Sequence, residues 1–216
     1  MTTPLDVVAV RVLGSLMEKE STTPDYYPLT LNALTAACNQ TSNRDPVLEV
    51  DEATVAKSLE DLDRRSLVVA VHRSDSRARR YRHLMAETMS LHPAEIAVMC
   101  VLMLRGAQTA GEIRTRTARL FEFPDLARVD ITLQALMSLS TPLVAQLPRR
   151  PGQKEVRFAH LLSGEPQVDT PEPEPAAAVQ PVEADRVDAL ERDLAALRTE
   201  MAELRARFEE FKREFQ

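Results

Sequence analysis

Tryptophan is absent from this 216-residue chain, and only 4% of its residues are aromatic. Its cores must be packed from aliphatic side chains, and the abundance of Leu, Ala, Val, Glu and Arg predicts a mainly α fold. The two cysteines, Cys38 and Cys100, stand far apart and outside any paired motif. That excludes a disulfide framework and a cysteine-rich zinc site. No apolar run approaches a membrane span, and residues 1–16 lack the basic segment and apolar core of an export signal. The expected compartment is therefore the reducing cytoplasm. With only five glycines in the chain, a glycine-rich phosphate loop has little to be built from. A nucleophile elbow is missing too, and His72, His83, His92 and His160 have no ligand partner at helical spacing. No catalysis, metal or cofactor is expected.

What is present is unevenly spread. The formal net charge is -6, yet residues 1–164 hold 20 Lys and Arg against 19 Asp and Glu, leaving 7 against 14 for the remainder. The acidity belongs to the tail, so the total does not decide what the first three quarters of the chain can bind.

Those three quarters repeat themselves. Arg80-Tyr81-Arg82-His83-Leu84 is echoed by Arg157-Phe158-Ala159-His160-Leu161, and before each lies an apolar helical stripe, Val55, Leu59, Leu62 and then Val129, Leu133, Leu136. Further upstream Val8, Val12 and Leu16 match Ala94, Val98 and Leu102. The spacing predicts helices over 6–19, 30–38 and 51–66, and again over 93–105, 109–120 and from 125. Asp51 and Asp125 can cap the third helix of each set, and Thr109 with Glu112 forms a capping box. Val50 and Val55 are placed to staple the entry to the first of these third helices. Hairpins follow, Leu67 to His72 with Arg79 to Leu84, and Leu143 to Leu147 with Val156 to Leu161 around Pro151-Gly152. Three helices and a hairpin, twice over, predict two tandem winged-helix domains over 1–86 and 87–163.

Residues 164–185 carry Pro166, Pro171, Pro173, Pro175 and Pro181 among Glu, Ala and Val, the composition of an extended tether. Over 186–216 the apolar positions are Val187, Leu190, Leu194, Leu197, Met201, Leu204, Phe208, Phe211 and Phe215, alternating steps of three and four. That heptad seam predicts a coiled-coil helix and self-association, with a dimer as the default. The pairs Arg186-Glu191, Asp193-Arg198 and Glu200-Arg205 attract across a parallel dimer while Arg207-Lys212 repels, which favours parallel strands.

The basic hairpins carry the best functional signal. Arg73, Arg77, Arg79, Arg80 and Arg82 in the first, and Arg149, Arg150 and Lys154 in the second with Arg157 beside them, are suited to lie along phosphates. The third helix argues the other way, because Asp51, Glu52, Glu60, Asp61 and Asp63 outnumber Lys57, Arg64 and Arg65 where a major groove would be entered. Asn39 to Pro46 is a polar loop that either presents a guanidinium and amides to a ligand or, as such side chains more often do, caps helices and closes turns. Tyr26 and Tyr27, between Pro24 and Pro28, suit either a docking patch or packing over the core.

The segments Arg11-Val12-Leu13-Gly14-Ser15-Leu16-Met17-Glu18-Lys19-Glu20, Thr22-Thr23-Pro24-Asp25-Tyr26-Tyr27-Pro28-Leu29-Thr30, Ala37-Cys38-Asn39-Gln40 and Asn43-Arg44-Asp45-Pro46 resemble the signature of the YceH-like, UPF0502-type family of uncharacterised bacterial proteins. Leu104-Arg105-Gly106-Ala107-Gln108-Thr109 and Phe121-Glu122-Phe123 are similar to its second-half signature. The resemblance covers nearly the whole chain and implies paired winged helices without implying an activity. Ala9 stands where the family is expected to carry Glu, which removes a capping interaction from the first helix. Two functions follow as alternatives. One is a dimeric DNA-associated or regulatory protein, using Arg-rich wings on phosphates and the coiled coil for avidity. The other is a scaffold whose winged helices bind a protein partner.

Overall fold

The computed structural model describes residues 4–71, 78–149 and 155–165, all within one compact unit, Met1–Val168. The linker beyond Glu165, the expected coiled-coil helix over 186–216, and Arg73, Arg77, Arg150 and Lys154 lie outside the described residues.

The first repeat opens with α1 (Val7–Thr22), whose free amides are met by Asp6, its carboxylate accepting from the Ala9 amide at 2.7 Å. Ala9 itself is buried, so the position where the family resemblance led us to expect Glu packs against the core. After a short turn at Pro24–Tyr26 comes β1 (Leu29–Thr30), then α2 (Leu31–Cys38), capped by the Thr30 hydroxyl. The third helix, α3 (Glu52–Arg64), starts on the Asp51 cap, with the Thr54 amide at 2.8 Å. Val50 packs against the core, and Val55 is fully buried. Strands β2 (Val68–Val71) and β3 (Arg80–His83) pair antiparallel with Val68 opposite His83 and Val71 opposite Arg80. Strand β1 lies on the other edge of β3, giving the order β1-β3-β2.

A short helix, α4 (Met85–Met89), leads to the second repeat. It consists of α5 (Pro93–Arg105), α6 (Ala110–Thr117), α7 (Leu126–Met137), β4 (Val144–Gln146) and β5 (Phe158–His160). Pro93 occupies the first turn of α5, where no amide donor is missed. The Thr109 and Glu112 capping box is formed in both directions, at 3.2 and 2.9 Å. Asp125 caps α7. Gln108 bridges Phe158 of β5, with bonds of 3.0 and 2.7 Å. This bridge just before α6 occupies the place that β1 holds before α2.

The repeats meet along α1 and α5, which share one continuous hydrophobic cluster. Val12, Leu13, Leu16, Val98 and Leu102 are fully buried there, and each such Leu is worth roughly 1.5–3 kcal/mol relative to exposure. Gly14 lets the helices touch, since a Cβ at that position would lie 3.0 Å from Leu104. The Cys100 thiol donates to the Gly14 carbonyl at 3.5 Å. The ends are tied as well, with the Leu5 amide 2.8 Å from the Leu162 carbonyl. The result is a mainly helical unit carrying small antiparallel sheets.

Candidate functional site

The first hairpin uses part of its charge internally. Arg80 donates to the Pro28 carbonyl at 2.9 Å, and Arg82 pairs with Glu87 at 2.6 Å. Arg79 and, in the second hairpin, Arg149 are exposed. Arg157 donates to the Ala107 carbonyl at 2.8 Å and pairs with Glu112 at 3.2 Å. The density of arginine seen in sequence is therefore divided between bonds that brace each hairpin and guanidinium groups that face solvent.

The outward faces of the third helices differ. On α3, Glu52, Glu60 and Asp63 are exposed, while Asp61 engages Arg64 and Arg65 at 3.3 and 2.7 Å. That surface repels phosphates. On α7 the exposed side chains include Arg128, Asp130 and Gln134 together with the apolar Leu126 and Ile131. Like-charge repulsion of a polyanion is correspondingly smaller there.

A buried charged node joins the repeats. Glu18 on α1 is buried, and Arg44 donates to both of its oxygens at 3.2 and 2.6 Å. Arg44 also donates to the Ala37 and Asn43 carbonyls and to Gln40 Oε1, so the desolvated guanidinium is bonded through all three nitrogens. Burial pushes the Glu18 carboxyl up, but the Arg44 hydrogen bonds and the charges of Arg44 and Arg119 outweigh it and hold the group below the ordinary carboxylate range. Beside it, Arg11 donates to the Cys38 carbonyl at 3.1 Å and to the Pro46 carbonyl. Asn39 clasps Val50 through two hydrogen bonds of 2.8 and 2.9 Å. The polar loop is thus structural, and its arginine points inward.

Cations accumulate on the second-repeat side of this node. Arg119, half exposed, reaches Glu18, and Arg105 donates to the neutral Asn43 amide oxygen. Arg116 shares Glu112 with Arg157, at 3.5 Å. Burial lowers the Arg105 pKa first, and the charges of Arg116 and Arg119 lower it further. Around Glu18 and Glu112 five guanidinium groups, of Arg44, Arg105, Arg116, Arg119 and Arg157, crowd against two carboxylates. Each carboxylate is shared by two of them, Glu18 by Arg44 and Arg119 and Glu112 by Arg116 and Arg157, while Arg105 bonds the neutral Asn43.

The chain matches, over residues 5–153, the family described as Protein of unknown function, DUF480. It belongs to this family. UPF0502 proteins are similar to it over nearly their whole length: that of Geotalea uraniireducens is 49% identical over 216 residues, and that of Geobacter sulfurreducens 50% over 217, with 98% of both chains covered in each case. In Opitutus terrae the likeness is 49% over 195 residues, covering 90% of this chain and 83% of the relative. The segments that suggested the family in the sequence converge on the node, since Arg11, Glu18, Asn39, Gln40, Asn43, Arg44 and Arg105 all belong to them.

The remaining candidates of this DUF480 chain have structural surroundings. Tyr27 turns inward and its hydroxyl accepts from the His83 amide at 2.8 Å, whereas Tyr26 is 74% exposed. Cys38 and Cys100 are buried, and burial pushes both thiols up, away from the thiolate. Among the described residues no group of His, Cys, Asp and Glu could hold a metal ion, and no helix is long and apolar enough to cross a membrane. The arginine cluster at Arg105, Arg116 and Arg119 escaped the sequence reading. Two of its members lie on or just after α6, outside either hairpin, and only the fold brings them beside Arg105.

Proposed function

We propose that this DUF480 protein is a non-enzymatic tandem winged-helix protein of the cytoplasm that associates with DNA through phosphate contacts of its second repeat, aided by Arg79 and Arg149 of the wings. The order of three helices and a hairpin, with a strand segment or bridge before each second helix, supports reading both repeats as winged helices. The observation that carries the functional reading is the grouping of Arg105, Arg116 and Arg119 on α5, on α6 and just after it, in a repeat whose third helix α7 has an outward face close to neutral. Phosphate contacts position a protein on a duplex without reading sequence, so affinity should be steeply salt-dependent and nearly indifferent to sequence. Self-association through the heptad seam would double such contacts.

Fluorescence anisotropy with two unrelated duplexes at 50 to 200 mM salt tests this. Binding is expected on both, and the combined variant Arg105→Gln, Arg116→Gln, Arg119→Gln should weaken it alike while lowering the log-log salt slope by about 2 to 3. Absence of binding at 50 mM salt, or an unchanged slope in the variant, overturns the reading. In that case the acidic outward face of α3 favours the second reading, a scaffold that docks a basic protein partner.

A further inference from the structure

Between α1, the end of β3, α4 and α5 lies a cavity of about 190 Å3. Met17, Leu91, Ala97 and Cys100 form its apolar wall, each less than a tenth exposed. Its polar side is made by Glu20 and His83. The His83 ring is 2% exposed, and its Nδ1 accepts the Met85 amide at 3.2 Å. The proton therefore sits on Nε2, which donates to Glu20 Oε2 at 2.8 Å. A neutral imidazole orients the Glu20 carboxylate without cancelling its charge. Among the described residues Glu20 pairs with no Lys or Arg, and its Oε1 accepts no hydrogen bond.

We infer that this cavity binds a small molecule that joins a compact apolar body, the size of one six-membered ring, to a protonated amine. The volume sets the body, since an apolar cavity of roughly 150 Å3 admits benzene. The uncompensated carboxylate sets the head, because an ammonium gains a charge-assisted hydrogen bond there while an anion meets repulsion. Ser21 lies at the same wall and offers a hydroxyl to the remaining ammonium protons. The ligand spans both repeats, touching Met17 and Glu20 of α1 and Ala97 and Cys100 of α5, so occupancy braces the contact between them. This site is independent of which macromolecule the protein binds.

Methyl NMR of the full chain, titrated with benzylamine, benzyl alcohol and benzoate, tests the assignment. Benzylamine is expected to give saturable shifts at the Met17 and Ile96 methyls with a dissociation constant on the order of millimolar. Benzyl alcohol should bind about tenfold more weakly and benzoate should not saturate. Glu20→Gln, at the half-exposed rim, should lower benzylamine affinity about tenfold and leave benzyl alcohol unchanged. Ala97→Ile should fill the cavity and abolish both. Failure of benzylamine to saturate, benzoate binding as tightly as benzylamine, or an unchanged affinity in Glu20→Gln each overturns the proposal.

Discussion

Glu18 and Arg44 meet through two oxygens and two nitrogens across 26 positions of sequence, with side chains 1% and 0% exposed. Removing Arg44 leaves the buried Glu18 carboxylate with only the half-exposed Arg119 as its cation, at a cost of about 3–5 kcal/mol. Arg44→Ala should therefore lower Tm by roughly 6–20 °C for a chain of this size. The double variant Glu18→Gln, Arg44→Met should be more stable than Arg44→Ala, since no charge is left buried and Arg119, half exposed, is solvated by water. Thermal unfolding followed by circular dichroism decides this, and a shift below about 2 °C in Arg44→Ala would contradict it.

His160 should impose an acid sensitivity at mildly acidic pH. Burial pulls its pKa from the ordinary 6.5 down to about 4, and its Nδ1 has no hydrogen-bond partner among the described residues. Between those values the unfolded chain binds a proton that the folded chain refuses, so stability falls as pH drops from 6.5 towards 4. Urea midpoints at pH 7 and pH 5 should differ in the wild type and differ less in His160→Gln. Glu18 acts lower down. Its folded pKa is depressed below 4.5, so its contribution is present above 4.5 and lost as pH falls through the folded value, with or without His160. An equal midpoint drop in His160→Gln between pH 7 and pH 5 would refute the assignment.

The crossing of α1 and α5 should tolerate no branched side chain at position 14. A Cβ there meets Leu104 at 3.0 Å and the Met103 Cβ at 3.3 Å, so Gly14→Val overpacks the contact and should cost about 1–3 kcal/mol. Gly14→Ala should cost less, because the Leu104 tip can turn aside and alanine favours the helix by up to about 1 kcal/mol. Trimming the neighbour, Leu104→Ala, should recover part of the loss in the Gly14→Val background. Denaturant midpoints read all three, and purely additive losses would show that the two residues are not in contact.

What the sequence made legible was local. Asp51, Thr109 and Asp125 cap helices as expected, and Asp6 and Thr30, read only as helix starts, do so too, because a short polar side chain before an apolar stripe acts on its own first turn. The ends were less legible: α1 runs three residues beyond the expected Lys19, and the paired strands are shorter than their apolar runs. Unseen were α4, which has no side-chain cap, and β1, two residues long and defined only by its register on β3. Long-range pairing was hidden altogether. A charge run in a hairpin does not say that Arg80 bonds Pro28 or that Arg82 pairs with Glu87. Nor does a polar loop disclose that Arg44 turns inward to Glu18, because that partner sits on a helix otherwise read as apolar.

Self-association should depend on the heptad seam over 186–216 and be separable from the stability of the unit Met1–Val168. The seam places Leu197 and Leu204 one heptad apart, so aspartate at both would bury two unpaired carboxylates per helix in the dimer. The double variant Leu197→Asp, Leu204→Asp should be monomeric by light scattering at tens of micromolar, where a coiled coil of about 30 residues assembles. Its Tm should track the wild type, since neither position lies in Met1–Val168. Salt offers a second reading. The attracting pairs Arg186-Glu191, Asp193-Arg198 and Glu200-Arg205 are screened as ionic strength rises, whereas burial of the Leu and Phe side chains is not, so high salt should weaken the parallel preference more than association itself. A wild-type monomer at the same concentration would refute self-association, and a variant that remains a dimer would move the interface away from the seam.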